Sequence, residues 1–195
     1  LEDVLAHAMV PPFFPISMED MGAQKLIQNI SERNQVIIAG QDAPPQIINK
    51  ATDKRPLTSE AVVVGAMKDY NHPRDGVLIY SVEYEGKRVV IATDVEGYIG
   101  GDQKLIGFAH GADLLIHDAQ YTYEVYADGK YPKQGWGHST VEMAAEVAQK
   151  AQVKQLALTH HDPLDTDRMV DLKELHAQKL FKNTFAAYEG LTVTL

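Results

Sequence analysis

The sequence predicts an α/β domain in which helices pack on a β-sheet. Three observations carry that reading. Apolar strand-like runs come first and then alternate with helical patterns, the order of a layered α/β domain. The helical patterns of the second half each open on a hydroxyl residue suited to capping. No glycine-rich turn follows any early strand, which counts against a dinucleotide-binding or P-loop fold.

In chain order, "LEDVLAHAM" has helical spacing and stops at "VPPFFP", where consecutive prolines cannot continue a helix. "AQKLIQNI" (23–30) and "QVIIAG" (35–40) are read as strands, the second ending on Gly40. Residues 41–59 are polar and proline-containing and are assigned to a loop. "AVVVGAMKDY" is a strand, and "GVLIYSVEYEGKRVVIATD" is two strands around Glu85-Gly86, a hairpin pattern. "ADLLIHDA" is a short apolar run with the look of a buried strand. "STVEMAAEVAQKAQ" starts a helix from Ser139 or Thr140 and places Met143, Ala144 and Val147 on one face. The strand "VKQLALTH" follows, then the capped helix "TDRMVDLKELHAQKLF", and "TFAAYEGLTVTL" closes the chain as strand.

The 195 residues are 45% hydrophobic, which suits one domain over residues 1–195 with a proper core. With no cysteine, disulfides and thiolate metal sites are excluded, so any metal must be held by His, Asp and Glu. The net charge of −9 argues against a broad nucleic-acid-binding face. It leaves room for a small phosphate substrate, because bound cations supply local positive charge. No run approaches the ~20 apolar residues of a membrane span, and no basic-then-apolar segment opens the sequence. A cytoplasmic location without membrane association is the expectation.

Metal-binding residue types collect at the ends of predicted strands: His72 in "DYNHP", Asp94 in "IATDVE", Asp118 in "LIHDA" and His160 in "LTHHDP". His138, in "GWGHST", sits just before a helix. Singly, each has an ordinary structural reading. His72 beside Pro73 suits a turn, Asp94 an Asx-turn, His138 a helix entry, and His160-His161 a solvated loop tip. His7, His110 and His176 have no evident partners and are left as structural or surface residues. His117 and Asp118 are neighbours on a strand and should face opposite sides, so only one can enter a common site. Together, imidazoles and carboxylates at successive strand ends are the donors that bind zinc or manganese without thiolate. Two such ions ~3.5–4 Å apart would clamp a phosphoryl group.

The stretches "YNHP", "VVIATDVE", "DLLIHDAQYT", "GWGHST" and "LALTHHDP", in that order, resemble the later half of a metallo-β-lactamase-fold hydrolase. The branch they resemble is that of the ribonuclease Z-like and cyclic-phosphodiesterase-like enzymes. The resemblance runs from about Leu1, where "PPFFP" also resembles the family, to the closing "YEGLTVTL". It implies an αββα sandwich with two divalent ions, zinc first and manganese as the alternative, generating a hydroxide that attacks phosphorus. It further implies that His72 binds the first metal, that Asp94 bridges both, and that His160 binds the second. His161 would lie behind the ligands or face substrate. His138 would contact the scissile phosphate and help protonate the leaving group. Asp118 would orient a ligand or His138.

The His-x-His-x-Asp-His motif that defines this family is absent from the sequence. The expectation is therefore an N-terminally truncated copy lacking that metal-binding portion, favoured over a degenerate member; the opening Leu1 in place of Met fits this. Such a chain alone would hold metal weakly and be inactive. It would expose apolar sheet surface and form a homo-oligomer or associate with the missing portion. The expected activity of the intact enzyme is hydrolysis of a small or cyclic phosphodiester. A thioester or lactone hydrolase of the same fold and a non-catalytic interaction module are the alternatives.

Overall fold

A computed structural model describes residues 2–10, 12, 14–22, 25, 27–40, 43–54 and 60–195. They divide into two compact units, Leu1–Ser31 and Glu32–Leu195. The first contains α1 (Glu2–Ala8), as its spacing predicts, and within it His7 Nδ1 lies 2.6 Å from the carbonyl of Asp3. No strand is found among the described residues of the expected strand over 23–30. Ala23, Gln24 and Leu26 lie outside the described residues, and Lys25 and 27–30 are irregular. The apolar positions there do not alternate, so a strand would have no consistent buried face. Pro11 and Phe13 of "PPFFP" also lie outside the described residues.

The second unit runs β1 (Asn34–Ile38), β2 (Gln46–Asn49), β3 (Val62–Asp69), β4 (Val77–Tyr84), β5 (Lys87–Ala92), α2 (Gln103–Ala109), β6 (Leu114–Asp118), α3 (Tyr123–Tyr126), α4 (Val141–Lys150), β7 (Gln155–Thr159), α5 (Asp167–Leu180) and β8 (Thr184–Ala186). All strands among the described residues lie in one sheet, in the order β2-β1-β3-β4-β5-β6-β7-β8. The pairs from β2 through β5 are antiparallel, and β5 through β8 are parallel. Parallel neighbours need long crossovers, which here carry α2, α3 with α4, and α5. The α/β class is thus realised, with one sheet among the described residues. Three details differ from the sequence reading: β2 lies inside the assigned loop, α2 and α3 were not anticipated, and the closing strand is only Thr184–Ala186.

Met67, Ile79, Val90, Leu115 and Leu156 form one face of the sheet and pack with Leu105, Ala144, Val147 and Ala177 of the helices. Thr140 caps α4, its Oγ1 accepting the Met143 N–H at 3.3 Å. Thr166 occupies the N-cap of α5 without a side-chain bond, so that cap is positional only. The alternate sheet residues, among them Val64, Leu78, Tyr80, Val82, Val89 and Ile91, are half-buried. No described helix is long and apolar enough to cross a membrane.

His117 and Asp118 do face opposite sides. His117 pairs in register with Ala92 and Leu158 on the helix side and is fully buried. Burial pushes its pKa down to about 4. The unfolded ring takes a proton near pH 6.5 and the native ring only near 4, so stability falls as pH drops through that window. Relative to neutral pH, the loss should reach about 3 kcal/mol at the acid end. Urea unfolding of wild type and His117→Leu at pH 7.5 and 4.5 checks this. The variant should lose less stability across the interval, and equal losses would exclude His117 as a source.

Candidate metal centre and active site

β3 runs antiparallel to β4, and β4 to β5, so β3 points the same way as β5, β6 and β7. Their C-terminal ends share one edge of the sheet, the edge where α/β sheets present functional groups. From this edge come His72, Asp94, Asp118 and His160. The His72 turn is built by local hydrogen bonds. Asp69 Oδ1 accepts the Asn71 N–H at 2.7 Å, and Asn71 Nδ2 donates to Asp102 Oδ2 at 2.7 Å. The other oxygen of Asp102 caps α2 through Lys104 N at 2.7 Å and Leu105 N at 2.9 Å. The helix start and the His72 turn are thereby joined.

Ligand atoms of His72, Asp94 and His138 lie within 4.8 Å of one another, and so do those of Asp118, His138 and His160. Asp94 Oδ1 is 3.0 Å from His160 Nε2. The His138 and His160 rings stack at 4.5 Å, and His72 meets His138 edge-on at 5.8 Å. His160 has φ +56, a left-handed conformation that is strained for a residue with a Cβ. Its Nδ1 is buried without a hydrogen-bond partner. Converging imidazoles, a carboxylate between them and an orphaned ring nitrogen are a donor set suited to a divalent cation.

Asp118 is fully buried and accepts four hydrogen bonds. Oδ1 receives Gln120 N and Ser139 N, each at 3.1 Å; Oδ2 receives Val95 N at 3.3 Å and His138 Nδ1 at 2.7 Å. Burial pushes its pKa up to about 7, against the lowering effect of the backbone N–H groups. Above that pH the anion holds a proton on His138 Nδ1, leaving Nε2 as the ring's reactive nitrogen. Burial also lowers the His138 pKa, with the Asp94 and Glu96 charges opposing.

A beta-lactamase superfamily domain model matches residues 25–161, most of the chain. The chain belongs to the beta-lactamase superfamily. A ribonuclease Z from Ignicoccus hospitalis is 37% identical over 109 residues, covering 56% of this chain and 33% of the relative. The chain thus spans about a third of that relative's length. Among solved structures, the metallo-beta-lactamase fold protein YhfI from Bacillus subtilis superposes with a TM-score of 0.51 at 19% identity, covering 64% of this chain and 46% of that one. Zn2+-bound PqqB from Methylobacterium extorquens gives 0.51 at 16% identity, covering 69% and 47%. These likenesses place the chain in the metallo-β-lactamase fold.

The superfamily match includes all five residues singled out in the sequence and leaves residues 1–24 and 162–195 outside it. The remaining histidines lie outside the cluster of ligand atoms. The His110 carbonyl accepts Arg88 Nη1, His176 Nε2 is 2.7 Å from Glu142 Oε1, and His161 Nε2 is 3.3 Å from the Ala187 carbonyl. His176 therefore has a partner that the sequence reading did not find. Two other residues escaped that reading. Lys173, buried on α5, pairs with Asp165 and donates to the Gln120 carbonyl at 2.6 Å, tying the loop after β6 to the loop after β7. Glu96 binds the loop that leads to His138.

Proposed function

We propose that the protein is a metal-dependent phosphodiesterase. The observation that carries this reading is the His138–Asp118 pair, with His138 grouped with His72 and Asp94 on one side and with His160 on the other. His72, Asp94 and His160 would hold divalent ions, zinc or manganese given the thiolate-free donors. Bound ions of this kind supply Lewis acidity to a phosphoryl oxygen and lower the pKa of water. Asp118 fixes the His138 tautomer, and Nε2 would take up the proton released as water attacks phosphorus and pass it to the oxygen of the departing alcohol. This chain contributes three of the ligands, and its match to the ribonuclease Z relative covers 33% of that relative.

The test is a substrate panel with the full protein in zinc or manganese: bis(p-nitrophenyl) phosphate, a thioester and a lactone. Turnover of the diester alone is expected. Turnover of the thioester or lactone instead would favour those hydrolases, and inactivity with all three a non-catalytic module.

A specific observation extends the substrate from small diesters toward RNA. Lys68 lies over Tyr70, Lys130 over Tyr131 and Lys133 over Trp136, at 5.7, 5.1 and 4.2 Å from the ring centroids. All three rings are exposed, Tyr70 and Trp136 stand two positions before His72 and His138 in the chain, and aromatic faces beside cations are stacking platforms for unpaired bases. The net acidity of the chain therefore coexists with a local basic, aromatic surface, and the relatives named ribonuclease Z fit such a substrate. Trp136→Ala should raise KM for a single-stranded oligoribonucleotide by about 5- to 100-fold. It should leave bis(p-nitrophenyl) phosphate hydrolysis unchanged. An equal effect on both substrates would remove the platform.

A further inference from the structure

We propose that Glu96 is a positioning residue that holds His138 in register with the His72 turn; this rests on the phosphodiesterase reading above. Glu96 stands two residues after Asp94, in the loop that follows β5, and it is bonded to both neighbouring loops. Its backbone N–H donates to the Asn71 carbonyl at 3.0 Å, beside His72. Its carboxylate binds the other loop. Oε1 accepts the Tyr126 hydroxyl at 2.6 Å and Gly135 N at 2.7 Å, while Oε2 accepts Gly137 N at 2.8 Å.

The segment 127–137 has no helix or strand of its own, and Glu96 supplies acceptors for two of its last backbone donors. The placement is tight. Gly137 has φ +92, and a Cβ built there would lie 2.4 Å from Pro73 Cδ and 2.6 Å from His72 Cδ2. The backbone that leads into His138 therefore lies directly against the His72 ring. A shift of this segment would move His138 away from Asp118 and open the wall beside His72 at once. Of the four residues that Glu96 bonds, Asn71 and Gly137 adjoin site histidines, Gly135 lies in the same segment as Gly137, and Tyr126 stands at its base. No other described side chain accepts from both Gly135 and Gly137.

The test is a double-mutant cycle in the metal-loaded full protein. Glu96→Ala should lower kcat for a phosphodiester by about 100-fold, the scale of a catalytic group misplaced by about 1 Å. In a His138→Ala background the same change should have almost no further effect, because Glu96 acts through His138. Bound metal should be retained. A second readout needs no activity: the His138 Nδ1–H proton, held by buried Asp118, should be visible by NMR in wild type and lost in Glu96→Ala. Glu96→Gln keeps one acceptor oxygen and turns an amide N–H toward a backbone donor. It should show the same changes in smaller measure, and it serves if the alanine variant does not fold. Additive losses in the cycle, or an unaltered Nδ1–H signal, would overturn the positioning role. A wild-type protein inactive on phosphodiesters would sink the functional reading, and the NMR result would still decide the role of Glu96.

Discussion

His138→Ala in the metal-loaded full protein should lower kcat for a phosphodiester by about 10²–10⁴-fold while the bound metal stays nearly constant. The expectation follows from how the ring is held. Nδ1 is committed to Asp118 at 2.7 Å, so His138 has one nitrogen left for the substrate. Its burial holds it mainly as the neutral ring at pH 7, able to take up a proton. The measurement pairs kcat with metal content by mass spectrometry. His138 also lies in a ligand-capable group with His72 and Asp94, so the competing role is that of a ligand. Parallel loss of metal and activity would assign it that role.

Asp118→Asn should be damaging in two ways. Each carboxylate oxygen accepts two hydrogen bonds in a fully buried position. An amide offers one acceptor oxygen and turns an NH₂ toward the other two donors, leaving buried groups unpaired. Disrupting such a network costs about 3–5 kcal/mol, by analogy with breaking a buried ion pair. In a chain of this size that lowers Tm by about 6–20 °C. The amide also no longer holds a proton on His138 Nδ1, so activity should fall below that expected from unfolding alone. Thermal unfolding followed by kcat measured well below Tm separates the two effects. A variant with wild-type Tm and wild-type kcat would show that the Asp118 network supports neither fold nor chemistry.

Much of the fold was legible because burial wrote it in the residues. β3 to β7 are apolar runs flanked by turn residues, and Glu85-Gly86 marks the hairpin at the positive φ values both residues adopt. β2 was hidden because "QIIN" is short and lies among prolines and polar residues. α2 was hidden because Gly107 interrupts its pattern and Gly100-Gly101 precede its cap at Asp102. The candidate site was legible wherever a polar residue closes an apolar strand, as Asp118 closes β6. Glu96 and Asn71 were not, because a side chain that bonds backbone groups of distant loops has no characteristic spacing in the chain. The opposite facing of His117 and Asp118 needed only the two-residue period of a strand.

The central claim is tested most directly by diester hydrolysis in the full protein after dialysis against a chelator and again after zinc is restored, in wild type and in Asp94→Ala. The account predicts that wild type falls to background and recovers with zinc, and that Asp94→Ala, lacking the carboxylate between His72 and His160, does not recover. Turnover that survives metal removal, or equal recovery in both proteins, would contradict it.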